Sequence, residues 1–183
     1  MFISAQSGSP YSYGFVNATI NGTGQQVSLV YIPKQGETIN FFQDNTITTA
    51  VQQAQSFDDF INSNNYLNSR RGNFTERNGA FTPWNTSADL RISHDFSVSK
   101  KGKQTLSLTY DIINVTNLLN KNLGKLYYVT AAFNSTSSVG LASTGKVSAN
   151  NYPIYTWSTP ATPYLTDIFA SRYQMQLGVR YSF

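Results

Sequence analysis

Cysteine is missing from all 183 residues, which removes disulfide staples, thiolate metal ligands and a cysteine nucleophile together. Histidine occurs once, as His94, so a structural zinc site has no ligand set to draw on. His94 precedes Asp95 in an alternating stretch, where neighbouring side chains point to opposite faces, and no nucleophile motif accompanies it. It reads as a lone polar residue in an apolar register. Gly22-Thr23-Gly24 begins like a nucleotide loop but lacks the third glycine and the strand-to-helix setting. These absences argue against an enzyme, a bound cofactor and a resident metal.

Charge is scarce too. Asp, Glu, Lys and Arg make up 12% of the chain, about half the usual share of a globular protein. The net charge of +4 does not point to nucleic acid, because only Arg70-Arg71 and Lys100-Lys101 with Lys103 are clustered, both at expected turns. No run of 18 apolar residues occurs, so no helix can cross a bilayer. Met1 to Ser7 lacks the basic start and apolar core of a signal peptide, which predicts a fragment whose true N-terminus lies upstream.

Aromatic residues, in contrast, reach 14%, with twelve Tyr and twelve Phe. The last stretch explains where some of them go. Tyr173, Met175, Leu177, Val179, Tyr181 and Phe183 take every second position, with Arg172, Gln174, Gln176, Gly178, Arg180 and Ser182 between them. Such period-two alternation marks a strand with one apolar and one polar face. Its length suits a tilted strand crossing a bilayer, which needs about 9 to 11 residues. The same alternation runs through Leu90, Ile92, Phe96 and Val98, and again through Leu106, Leu108, Tyr110 and Ile112. Few charges, many aromatics and alternating segments predict an all-β chain of the antiparallel transmembrane barrel type.

Read in order, residues 1–7 are a strand end, 8–84 a long loop and 85–98 a strand. Then come a short turn at 99–104, a strand at 105–117, a second long loop at 118–170 and the terminal strand at 171–183. Long loops on one side and short turns on the other are typical of outer-membrane barrels, whose short side faces the periplasm. The first loop is too long to be featureless, and strand-like pieces fall at Val27 to Ile32, with further ones at Leu126 to Ala132 and Tyr152 to Trp157 in the second loop. Within the first, Ser56 with Asp59 predicts a helix start, Asp58-Asp59 complement its dipole, and Gly72 stops it after Arg70-Arg71. Tyr11, Tyr13, Tyr31, Trp84, Tyr127, Tyr128, Tyr155 and Trp157 lie in the loops and are the candidate ligand contacts. Aromatic residues of this kind also pack among themselves. Six sequons, at Asn17, Asn21, Asn73, Asn85, Asn114 and Asn134, read as coincidence in a chain rich in Asn and Thr.

Three motifs go further: Arg77-Asn78-Gly79-Ala80-Phe81-Thr82-Pro83-Trp84 followed by Asp89-Leu90-Arg91-Ile92; Asp111-Ile112-Ile113-Asn114-Val115-Thr116-Asn117-Leu118-Leu119-Asn120-Lys121; and Ser171 to Phe183. On them the chain resembles TonB-dependent outer-membrane receptors, specifically the Oar-like branch of Bacteroidota. Ser7-Gly8-Ser9-Pro10-Tyr11-Ser12-Tyr13 and Tyr31-Ile32-Pro33-Lys34 match that branch as well. The resemblance implies the last three strands, and the end of a fourth, of a plugged barrel of about 22 strands. It implies import of a scarce extracellular nutrient such as a siderophore, glycan or peptide, with adhesion or protein export through the same barrel as the alternative. A soluble carbohydrate-binding β-sandwich is a weaker third. The implied partners are the missing barrel and plug, TonB, outer-membrane lipids, the barrel-assembly machinery and a surface lipoprotein. The assembly machinery would read Tyr173, Met175, Leu177, Val179, Tyr181 and Phe183 as its signal. Thr19-Ile20-Asn21-Gly22-Thr23-Gly24 stands where relatives often carry an acidic turn, and without carboxylates calcium is not expected there.

Overall fold

The computed structural model describes residues 1–16, 27–98, 104–130 and 136–183. The basic turn at Lys100 to Lys103, the Thr19 to Gly24 segment and the sequons at Asn17, Asn21 and Asn134 lie outside them. In chain order the strands begin with β1 (Phe2–Gln6), β2 (Pro10–Val16), β3 (Val27–Leu29) and β4 (Tyr31–Ile32). A 3-10 turn (Thr38–Phe41) leads to α1 (Ala50–Ser63) and α2 (Asn65–Ser69), then β5 (Asn73–Phe74), β6 (Ala80–Phe81), β7 (Asn85–Ser97) and β8 (Thr105–Ile113). After α3 (Val115–Leu119) come β9 (Tyr127–Val129), β10 (Thr136–Ser138), β11 (Leu141–Val147), β12 (Pro153–Trp157), β13 (Tyr164–Thr166) and β14 (Gln174–Ser182). The chain is mostly β, with antiparallel sheets, and no closed barrel is found among the described residues.

The chain divides into two compact units. The first comprises residues 1–9, 82–128 and 165–183. Its frame is a four-stranded antiparallel sheet in the order β1-β7-β8-β14. The register places the alternating residues in rows: Leu90 beside Ile112 and Ile112 beside Met175, Ile92 beside Tyr110 and Tyr110 beside Leu177, Phe96 beside Leu106 and Leu106 beside Tyr181. Because cross-strand partners share a face, one side of the sheet is apolar from strand to strand. The other carries Asp89, Arg91, Ser107, Asp111, Gln176 and Arg180 in the intervening positions. There Arg91 forms a salt bridge with Asp111, Nε to Oδ1 at 2.7 Å. His94 lies in the apolar rows, its ring edge-on to Phe96 at 4.4 Å between centroids.

Two strand ends differ from expectation. The strand predicted to reach Asn117 stops at Ile113, because Asn114 adopts a left-handed conformation (φ 54°) and the chain turns into α3. The terminal strand spans Gln174–Ser182 rather than 171–183, leaving Tyr173 and Phe183 as its flanks. Asn114 is the reason both chain segments are tied down at that end. Its backbone N–H donates to Asp89 Oδ1 at 2.8 Å, and its Nδ2 donates to the carbonyls of Gly124 at 2.7 Å and Ser171 at 2.8 Å. Its Oδ1 accepts from the Thr116 hydroxyl at 2.8 Å. Gly124 must be glycine, since it sits at φ 63° and a Cβ would run into the Asn114 side chain.

The second unit comprises residues 10–81 and 129–164. It is assembled around α1. The helix begins at Ala50, not near Ser56: Thr49 is its N-cap, accepting from the Gln52 N–H, while Gln52 Oε1 accepts from the Thr49 N–H. This capping box outcompetes the Ser56 signal because it lies where the apolar periodicity starts. Asp58 and Asp59 are consequently mid-helix and complement no N-terminus. Asp58 instead takes Arg71 in a salt bridge at 2.8 Å and accepts from the Thr38 hydroxyl at 3.0 Å. Gln53, Ala54, Phe57 and Ile61 form the buried stripe, at helical spacing. Phe57 packs against Phe42 and Trp157, and Ile32, Leu67, Val30 and Val139 complete a core with almost no exposure. A short sheet of β10, β2 and β3 joins it, with β10 parallel to β2. The Val27 to Ile32 piece is split at Val30, whose N–H donates to the Thr75 hydroxyl at 3.0 Å instead of to a strand partner. Gly72, at φ 79°, does fall just past the helical segment, after α2 ends at Ser69.

Candidate functional site

The second unit contains a cavity of about 470 Å³. That volume lies in the range of small-molecule pockets. Its walls are a chain of rings supplied by separate segments. Tyr31, on β4, meets Phe74 of β5 at 5.6 Å between centroids and Phe41 of the 3-10 turn at 6.3 Å. Phe41 meets Tyr152 edge-on at 5.3 Å and lies nearly parallel to Tyr155 at 6.4 Å. Tyr155, on β12, stacks on Phe15 of β2 at 5.6 Å. Leu29, Val30, Pro33, Leu141 and Pro153 fill the gaps. The sheet and helix geometry aims these side chains inward: Phe15 and Tyr155 come from strands, and Phe41 from the tight turn that leads towards α1.

Among the described residues one carboxylate lines this apolar space. Glu37 accepts the Tyr31 hydroxyl at 3.1 Å and the Lys34 backbone N–H at 2.9 Å, both on Oε2. None of the three ion pairs among the described residues involves it. Burial pushes the Tyr31 phenol above its ordinary range, and the hydrogen bond to Glu37 adds to that. Burial also raises Tyr155. Both phenols therefore remain neutral donors at physiological pH.

The eight sequence-predicted aromatic contacts fall into three groups. Tyr31 and Tyr155 line the cavity. Tyr11 and Tyr13 are buried, their rings edge-on at 5.3 Å, with Tyr13 stacked on Tyr66. Trp157 packs on Phe57 and Phe60 and donates its indole N–H to the Val139 carbonyl at 3.1 Å. Tyr11 and Tyr13 are core residues of the unit, and Trp157 is a half-buried residue packed against that core. Trp84, Tyr127 and Tyr128 belong to the first unit, with Trp84 largely exposed. The terminal-strand residues Tyr173, Met175, Leu177, Val179, Tyr181 and Phe183 are all exposed. Phe15, Glu37, Phe41, Phe74 and Tyr152 are cavity residues that sequence reasoning missed. Only Tyr31-x5-Glu37 carried a local signal, a phenol and a carboxylate bracketing a Pro-Lys turn.

No family model, curated protein or solved structure matches the chain. Among the described residues no group of three or more His, Cys, Asp or Glu is placed to hold a metal.

Proposed function

We propose that this chain is the C-terminal part of a TonB-dependent outer-membrane receptor of the Oar-like type, and that the whole receptor imports a scarce extracellular nutrient into the periplasm. One observation carries the reading: the β1-β7-β8-β14 sheet has an apolar face, interrupted by His94, that is buried at Ala88 and Ile112 but open along much of the rest, with Leu177 at 70%, Val179 at 65% and Ile92 at 55% exposure. Burying a side chain of that size stabilises a fold by about 1.5 to 3 kcal/mol, so a sheet that lives in water covers such a face. Hydrocarbon covers it without a second sheet. β8 and β14 have nine residues each and β7 has thirteen, which suits the tilted span of about 9 to 11.

The connections support the same reading. Gln6 pairs with Asn85 and Ile113 pairs with Gln174, so both long connections leave from one end of the sheet. Every residue of the second unit belongs to those two connections. In a barrel of this type the long connections are extracellular, which makes the second unit the part that meets the nutrient. TonB, acting through the missing plug, would supply the energy for passage.

The test starts with the gene disrupted in its own host. Loss of growth on a scarce solute, reproduced by disrupting TonB, is the expected result, together with recovery of the native protein in the outer-membrane fraction. Intact uptake with lost attachment or secretion would replace import by adhesion or export. Recovery in a soluble fraction would overturn both.

A further inference from the structure

We infer that the aromatic cavity of the second unit is a binding site for an organic cation, a protonated or quaternary amine carrying an apolar group. The argument starts from what the cavity offers. Phe15, Phe41, Phe74, Tyr31, Tyr152 and Tyr155 line it, and aromatic rings carry a negative quadrupole that attracts a cation within about 6 Å of the ring centre. Adjacent centroids are 5.3 to 6.4 Å apart, so neighbouring rings pack on one another and a group resting on their cavity side lies against more than one ring. Cation–π attraction grows as the site is desolvated, and these walls are mostly apolar.

Glu37 decides the sign of the ligand. Among the described residues it is the only charged one lining the cavity, and its Oε1 takes no hydrogen bond there, both donors going to Oε2. Two cations of neighbouring segments are engaged or turned elsewhere. Arg71 donates to the Pro33 carbonyl at 3.1 Å but is paired with Asp58, and the Lys34 side chain lies along Gly72, where an added Cβ would meet its Cε at 3.0 Å. A carboxylate beside low-dielectric walls, without a basic partner, repels anions and favours a cation that brings its own apolar shield. A sugar fits less well, since among the described residues the polar side chains here beyond Glu37 are phenols alone, and sugars need donors and acceptors in several directions.

The inference rests on the proposed function only in treating the second unit as the ligand-facing part. The cavity lies wholly within that unit, so binding and transport can fail separately.

The experiment is calorimetric titration of the full chain in detergent with phenethylammonium and, separately, with 2-phenylethanol, a neutral molecule of the same shape. Saturable binding of the cation, tighter than the alcohol by at least about tenfold, is expected. Glu37→Gln should remove that preference and leave the alcohol affinity within about twofold. Equal affinities, no saturable binding of the cation, or a preference that survives Glu37→Gln would overturn the assignment. A second measurement needs no variant: a photoreactive benzophenone amine should label peptides containing Tyr31 to Phe41 and Tyr152 to Tyr155, competed by phenethylammonium. Labelling confined to other peptides would equally overturn it.

Discussion

Tyr11 and Tyr13 show how much a single pair of phenols constrains this molecule. Tyr11 is 3% exposed and donates to the Tyr13 hydroxyl at 3.4 Å, which also receives Asn64 Nδ2 at 2.9 Å. Burial, and then the contact with Tyr13, raises the Tyr11 phenol far above its ordinary value of 10.0; burial raises Tyr13 as well. The fold thus favours the protonated forms. Unfolded tyrosines ionise from about pH 10 while the folded ones do not, so stability is fully present below that pH and falls as pH rises above it. Tyrosinate absorbance of these groups should appear only together with loss of near-ultraviolet dichroism. Tyr11→Phe, which removes one such group, should move the alkaline midpoint upward by about half a pH unit. Asn114 is the corresponding residue of the first unit. Asn114→Ala would leave the Gly124 and Ser171 carbonyls without their donor and a left-handed backbone without the side chain that suits it. A loss of about 2 to 4 kcal/mol is expected in denaturant titration of the full chain in detergent. The same burial and bonding leave the Asn114 sequon no room for a glycan.

Among the elements, α1 separates what was legible from what was not. A helix around Phe57, Phe60 and Ile61 follows from their spacing, but its start does not follow from the strongest acidic signal. Gln52 serves at the third helical position as well as an acid would, because the box needs an acceptor and not a charge. Thr49→Ala should therefore cost about 0.5 to 2 kcal/mol and speed amide exchange at Ala50 to Gln53, measurable by mass spectrometry. Ser56→Ala should leave that exchange unchanged, since Ser56 is on the exposed side of mid-helix. The long strands were legible for a simpler reason: the period-two pattern of Leu90 to Phe96, Leu106 to Ile112 and Met175 to Tyr181 is written residue by residue. The cavity was not, because its walls join residues far apart in sequence. Phe15 meets Tyr155 and Phe41 meets Tyr152 through tertiary packing, and no local period encodes that. The same holds for Tyr11 and Tyr13, the two candidates that lie in the core.

For the whole molecule, the register of the sheet and the solvent of its two faces are one question. Leu177 pairs with Tyr110 in the apolar rows, while Gln176 pairs with Asp111 in the polar ones. If hydrocarbon covers the apolar face, an arginine at 177 places its charge in lipid near mid-strand and should cost on the order of 2 to 4 kcal/mol. An arginine at 176 meets a different environment. Asp111 already accepts Arg91 at 2.7 Å, and a second guanidinium beside it would share a carboxylate on a polar surface. Gln176→Arg should then be close to neutral, within about 0.5 kcal/mol. The measurement is the folded fraction of the full receptor reconstituted in lipid vesicles, titrated with urea. Harmless Leu177→Arg beside harmful Gln176→Arg would mean that the faces are exchanged, because a one-residue slip moves every side chain of a strand to the other side. Harmless outcomes at both positions would place water on the apolar face and exclude the membrane reading.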